Sequence, residues 1–166
     1  MKADKPLVLL VEDDPDDFHL MQLALKRTPG EIQLVRVEDG EAAMDYLSGA
    51  EDYADRSEHP LPQIAVLDIK LPKRSGFEVL EWIRTRSELR RLPVMMLTSS
   101  RHSVDVNRAY DLGASAYFSK PETMKDLTAL LGDLKSIWIR WLEFPMLQNG
   151  GPNGGQAEKS FQPRRP

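Results

Sequence analysis

Leu7-Val8-Leu9-Leu10-Val11-Glu12-Asp13-Asp14-Pro15 sets two opposite chemistries side by side. Five apolar residues without a polar break read as a strand buried on both faces, the kind found inside a parallel sheet. The acids and the proline that follow fit a loop turning into a helix, where carboxylates cap the N-terminus and favour its dipole. Three later stretches repeat the design: Ile64–Leu67 runs into Asp68, Val94–Leu97 into Thr98, and Ala116-Tyr117-Phe118 into Ser119-Lys120-Pro121. In an open parallel sheet, ligands bind in the crevice beyond the carboxyl ends of the strands. Carboxylates, a hydroxyl and an ammonium are therefore expected to share one mouth, a set suited to a hard divalent cation and a phosphoryl group.

Outward from these runs, strand and helix patterns alternate five times. Phe18, Met21 and Leu25 mark a first helix up to Pro29-Gly30, and Ile32–Val37 is a strand nearer an edge, broken by Gln33 and Arg36. Ala42–Leu47 reads as a short helix ended by Ser48-Gly49, and residues 50–62 as an irregular stretch. Ser75 is placed to cap a helix carrying Phe77, Leu80 and Ile83, and Ser103–Leu112 is a weak helix closed by Gly113. A long helix follows Pro121. Alternating units of this kind imply an α/β fold, a flavodoxin-like doubly wound (βα)5 sandwich with parallel strand order 2-1-3-4-5. That order makes strands one and three neighbours and sets Asp13 beside Asp68.

Composition narrows the function classes. There is no cysteine, so disulfides and thiolate metal sites are excluded, which fits a cytoplasmic location. Net charge is −4, from 22 basic and 26 acidic residues, against a broad nucleic-acid surface. No apolar run has membrane-spanning length, and the first eleven residues read as a strand rather than a secretory signal. From Phe144 onward Gly, Pro, Asn and Gln prevail, so the expected domain is 1–143, with a core of about 7–136 and a disordered tail over 144–166.

Each site residue also has an ordinary explanation. Glu12, Asp13 and Asp14 could merely cap a helix, a strand-ending Asp68 is common in α/β folds, Thr98 is a good strand former, and a lysine at a strand end usually reaches solvent. Their combination argues otherwise, because carboxylates crowded at one mouth repel each other until a cation joins them. Oxygen ligands without His or Cys favour Mg²⁺, and a lysine opposite them suits phosphate as a point charge. The proline after Lys120 biases that residue toward extended backbone, and a cis bond would turn the chain sharply there.

With these residues in hand, V-L-L-V-E-D-D-P, V-L-D-I-K-L-P-K-R-S-G, M-L-T-S-S and A-Y-F-S-K-P resemble, in order and spacing, the receiver domain of two-component response regulators. The resemblance implies a signalling protein, not an enzyme, in which Asp68 accepts a phosphoryl group from a sensor histidine kinase. It implies that Asp13, Asp68 and the backbone carbonyl of Lys70 bind Mg²⁺ directly and Glu12 binds it through water. Thr98 and Lys120 would contact the phosphoryl oxygens, and Tyr117 would be the aromatic switch that turns inward with Thr98. The side chain of Lys70 either pairs with a site carboxylate in the free state, alters water access, or is simply exposed. With no room for a helix-turn-helix module after the fifth unit, the expected type is a stand-alone receiver. The 49–62 stretch and I-K-L-P-K-R-S-G resemble the subgroup that partners bacterial phytochrome kinases. A phosphorelay intermediate is the alternative within this class. A haloacid-dehalogenase-like phosphatase would need a second aspartate where Lys70 stands, and a nucleotide or flavin binder would need a Gly-rich first loop that is missing.

The last helix is expected to run from Glu122 to about Glu143, with Leu127, Leu130, Leu131, Leu134, Ile137, Trp138, Trp141 and Leu142 at helical spacing. That length overshoots a strand of ordinary size. Trp138, Trp141 and Leu142 are therefore expected between the subunits of a homodimer; the competing expectation is a bend near Gly132 that folds the stripe back.

Overall fold

Every strand of the single sheet is parallel, and the order is β2-β1-β3-β4-β5. The computed structural model describes residues 5–147. Its elements are β1 (Leu7–Val11), α1 (Pro15–Lys26), β2 (Gln33–Val37), α2 (Gly40–Ser48), a 3₁₀ turn at Glu51–Tyr53, β3 (Ile64–Leu67), α3 (Gly76–Thr85), β4 (Val94–Thr98), α4 (Ser103–Asp111), β5 (Ala116–Ser119) and α5 (Met124–Arg140). This is the flavodoxin-like arrangement expected from the alternation of apolar runs.

The continuous hydrophobicity of β1 and β3 has a direct cause: both lie inside the sheet and are covered on both sides. Val8, Leu10, Ile64 and Val66 join Met21, Ala24, Leu127, Leu131 and Leu134 in a core under α1 and α5. Leu9, Val11, Ala65 and Leu67 pack with Tyr46, Leu80, Ile83 and Met96 on the opposite face. The edge strands β2 and β5 are mostly half-buried, which explains the polar breaks in β2.

Local chemistry sets the helix starts. Asp14 accepts hydrogen bonds from the amides of Asp16 and Asp17; it is the N-cap of α1, and helix capping accounts for it fully. Ser75 and Glu78 form a reciprocal capping box at α3. The next residue must be glycine, since a Cβ on Gly76 would collide with the carbonyl of Asp68. Arg56 binds the 50–62 stretch to the end of α2, donating to the carbonyls of Tyr46, Leu47 and His59. At the C-terminal end of α1, buried Lys135 donates from α5 to the carbonyls of Leu25 (2.8 Å) and Thr28 (2.9 Å). Burial pushes its ammonium below the ordinary lysine value.

The structure departs from the sequence reading at α5. The helix runs without interruption through Gly132 and ends at Arg140, where Trp141 leaves helical geometry. The amide of Leu142 then donates back to the carbonyl of Ile137. Leu142 and Phe144 return to the α1/α5 core, and Leu147 reaches the other core. Phe144 and Leu147 are thus packed and Met146 is exposed, while 148–166, the rest of the expected disordered tail, lie outside the described residues. Trp138 is only 3% exposed within its own domain, whereas Trp141 is 79% exposed. The expectation that Trp138 lies between subunits is therefore corrected, because its own domain buries it in the core that Leu142 and Phe144 join; of the three residues expected there, Trp141 alone is exposed.

Candidate functional site

The strand ladder delivers the site residues to one place. Val11 is in register with both Val37 and Leu67, so Glu12 and Asp68 leave adjacent strands at the same level. Sheet hydrogen bonding continues one residue past the strands: Glu12 N–H donates to Val37, Asp68 N–H to Val11 and Lys120 N–H to Thr98. These bonds fix the backbone of each group before its side chain is oriented. Arg36 adds a strut, donating to the carbonyls of Glu12 (3.0 Å) and Asp13 (3.2 Å) with its guanidinium over the Phe18 ring.

Glu12, Asp13 and Asp68 each offer a carboxylate oxygen within 4.8 Å of the others. Glu12 and Asp68 are buried and Asp13 is exposed. The Lys120 ammonium reaches the same group, donating to Glu12 Oε2 (2.6 Å), Asp68 Oδ2 (2.8 Å) and Asp17 Oδ2 (2.8 Å). Burial alone would lower the lysine's pKa, but the bonds to Asp17, Asp68 and Glu12 outweigh it and hold the group above its ordinary value. Burial raises the Glu12 carboxyl against the opposing pull of Lys120. One ammonium is thus shared among three carboxylates and offsets only part of their charge.

Thr98 is 1% exposed at the end of β4, and its hydroxyl accepts a long bond (3.5 Å) from the Ser100 amide. Ser100 gathers the loop: its hydroxyl donates to Asp105 (2.5 Å), and its carbonyl accepts from Tyr117 Oη (2.9 Å) and Ser119 Oγ (3.5 Å). Burial raises the pKa of the Tyr117 phenol.

Lys70 is exposed and forms no ion pair among the described residues, so of its three anticipated roles the pairing with a site carboxylate is not observed. Among the described residues no peptide bond is cis, so the Lys120–Pro121 junction relies on the extended preference alone. Sequence reasoning missed Asp17. It looks like one more acid in the first turn of α1, yet it faces Lys120 while Asp16 stays exposed.

A doubly wound sheet with clustered acids, a buried threonine and a bridging lysine at its strand mouth defines a receiver. The chain belongs to the response regulator receiver domain family, which matches residues 8–132. Response regulator Rcp1 of Synechocystis sp. is 35% identical over 139 residues, covering 84% of this chain and 92% of Rcp1. The crystal structure of Rcp1 in its Mn²⁺-bound form superposes with a TM-score of 0.76, covering 85% of this chain and 99% of that one. The phosphorylated cyanobacterial phytochrome response regulator RcpA is 32% identical with a TM-score of 0.79, over 86% of this chain and 99% of that one. The bacteriophytochrome response regulator RtBRR is 38% identical with a TM-score of 0.68, over 89% and 85%. The protein is thus a signalling receiver rather than an enzyme, and its acidic cluster fits a divalent cation. No helix of the described residues is long and apolar enough to cross a membrane.

Proposed function

We propose that the protein accepts a phosphoryl group on Asp68 from a sensor histidine kinase, with Mg²⁺ as the ion of its acidic cluster. One observation carries the reading: Lys120 Nζ lies 2.8 Å from a buried Asp68 whose carboxylate also meets those of Glu12 and Asp13. Asp13, Asp68 and the Lys70 carbonyl would hold Mg²⁺ directly and Glu12 through water, a hard oxygen set of the kind this ion takes. When bound, the ion neutralises the carboxylates and the incoming phosphoryl oxygens. An Asp68 carboxylate oxygen attacks phosphorus, the P–N bond of the phosphohistidine breaks, and its electron pair returns to the imidazole. The product is an aspartyl phosphate. Alignment and charge neutralisation are most of what such a transfer asks of a protein. Thr98 and Lys120 donate to the phosphoryl oxygens, and Tyr117 follows Thr98 through the Ser100 carbonyl.

The phytochrome response regulators among the relatives support a phytochrome-type kinase as donor. Trp141 and the 46%-exposed Ile137 at the end of α5 support a homodimer, because paired apolar faces lose their contact with water. Incubation with acetyl phosphate and Mg²⁺, followed by intact mass measurement, tests the acceptor. One phosphoryl adduct is expected, absent without Mg²⁺ and in Asp68→Asn. An adduct that persists in Asp68→Asn refutes the assignment.

A further inference from the structure

We infer that Asp17 is a positioning residue that holds the Lys120 ammonium when a divalent cation displaces it from the acceptor cluster; this rests on the proposed reading of the mouth. A lysine ammonium has three N–H donors, and Lys120 spends them on Glu12, Asp68 and Asp17. The first two belong to the set of carboxylates whose oxygens can meet at one point, and Asp17 does not. A cation among Glu12, Asp13 and Asp68 therefore competes with the ammonium for two of its three partners and leaves the third untouched.

The third partner matters because of burial. The Lys120 side chain is 12% exposed, and a charge that loses its counter-ions in such a place is strongly disfavoured. Asp17 is 39% exposed, so it can bind the ammonium at the rim without being desolvated itself. Its position is set by α1: its amide donates to the Asp14 cap at 3.3 Å. Favouring the helix dipole would account equally for Asp16 and Asp17. It does not account for the turn of Asp17 alone toward a lysine 103 residues away in sequence. The mouth is thus built for an exchange of cations, with a resting place for the one that leaves.

Calorimetric titration of Mg²⁺ into the wild type, Asp17→Asn, Lys120→Met and the double variant tests the inference. Asp17→Asn is expected to weaken Mg²⁺ binding roughly three- to tenfold with Lys120 present. In the Lys120→Met background the same change should have less than about a twofold effect, since no ammonium needs a place. Asp17→Glu should keep most of the wild-type affinity. Equal losses in both backgrounds would mean that Asp17 acts only through its distant charge, and no loss in either would mean that it does nothing; both overturn the inference. A second arm needs no change at Lys120. The gap between wild type and Asp17→Asn should survive high salt, which screens distant charges far more than a contact pair; a gap that closes refutes the hand-over. A wild type that neither binds Mg²⁺ nor labels on Asp68 would instead remove the proposed function itself.

Discussion

Replacing Gly76 with alanine pits two known effects against each other at the acceptor. Gly76 is the first residue of α3, and in a helix alanine is ordinarily better than glycine by about 0.5–1 kcal/mol. Here the added Cβ would collide with the carbonyl oxygen of Asp68, and it would stand 2.9 Å from that residue's carbonyl carbon and 3.1 Å from Ile69 Cα. All three atoms are backbone, so no side chain can rotate away. Over-packing of a tight site costs about 1–3 kcal/mol, and rigid neighbours favour the upper end. Subtracting the helix gain leaves a net loss of about 1–2.5 kcal/mol. For a domain of this size that is a fall of roughly 2–10 °C in Tm. The relaxation must move either the start of α3 or the backbone of Asp68, so acetyl phosphate should label the variant more slowly than the wild type at equal Mg²⁺. Urea denaturation and timed mass spectrometry measure the two effects. A Gly76→Ala protein as stable as the wild type and labelled at the same rate would refute the close-approach argument.

Trp138→Ala should destabilise the fold by about 3–5 kcal/mol in urea, as expected for a buried indole. Trp138→Phe should cost less than half of that, because the indole N–H has no hydrogen-bond partner to lose. Trp141→Ala should leave stability almost unchanged and weaken self-association in sedimentation; the reverse pattern would restore Trp138 to the surface. Lys120→Met should alter the alkaline limb of stability. The folded-state pKa of Lys120 lies above the usual 10.5, so its contribution is complete below that pH and is lost as pH rises through the folded value. Above about pH 10.5 the variant's unfolding free energy should therefore decline less steeply than the wild type's, and parallel slopes would contradict the pairing. Arg36→Met should lower stability by about 1–2 kcal/mol, because it removes hydrogen bonds that hold the Glu12–Asp13 backbone. Mg²⁺ affinity should fall with it, and an unchanged affinity would show that the loop keeps its shape unaided.

The parts of the molecule legible in the sequence are those in which one residue type has one job. The unbroken apolar runs Leu7–Val11, Ile64–Leu67 and Val94–Leu97 had to be inner strands, and the polar residues that end them had to share the strand mouth. The start of α3 was equally plain, since Ser75 stands just ahead of its apolar face. Asp17 was hidden because its role depends on a lysine from another strand end and not on its neighbours in the chain. Lys135 was hidden for the opposite reason: at its position a lysine normally covers a helix surface, and only the approach of α1 turns it inward to two carbonyls. The end of α5 misled because helical spacing of apolar residues continues through Trp141 and Leu142. That spacing records which residues are apolar and says nothing about whether the chain keeps its helical path or doubles back, as Leu142 and Phe144 do.

The bond from Tyr117 to the Ser100 carbonyl makes the protein a source of its own spectroscopic readout. The chain has four tyrosines, at 46, 53, 110 and 117. Tyr46 donates to Pro60, Tyr53 packs against the rings of Tyr46 and His59, and Tyr110 is exposed. Only the Tyr117 hydroxyl is tied to the loop that follows Thr98. With fluorotyrosine incorporated throughout, four chemically distinct surroundings should yield four separable ¹⁹F resonances. One of them would follow occupancy of the mouth in real time while the other three serve as internal standards.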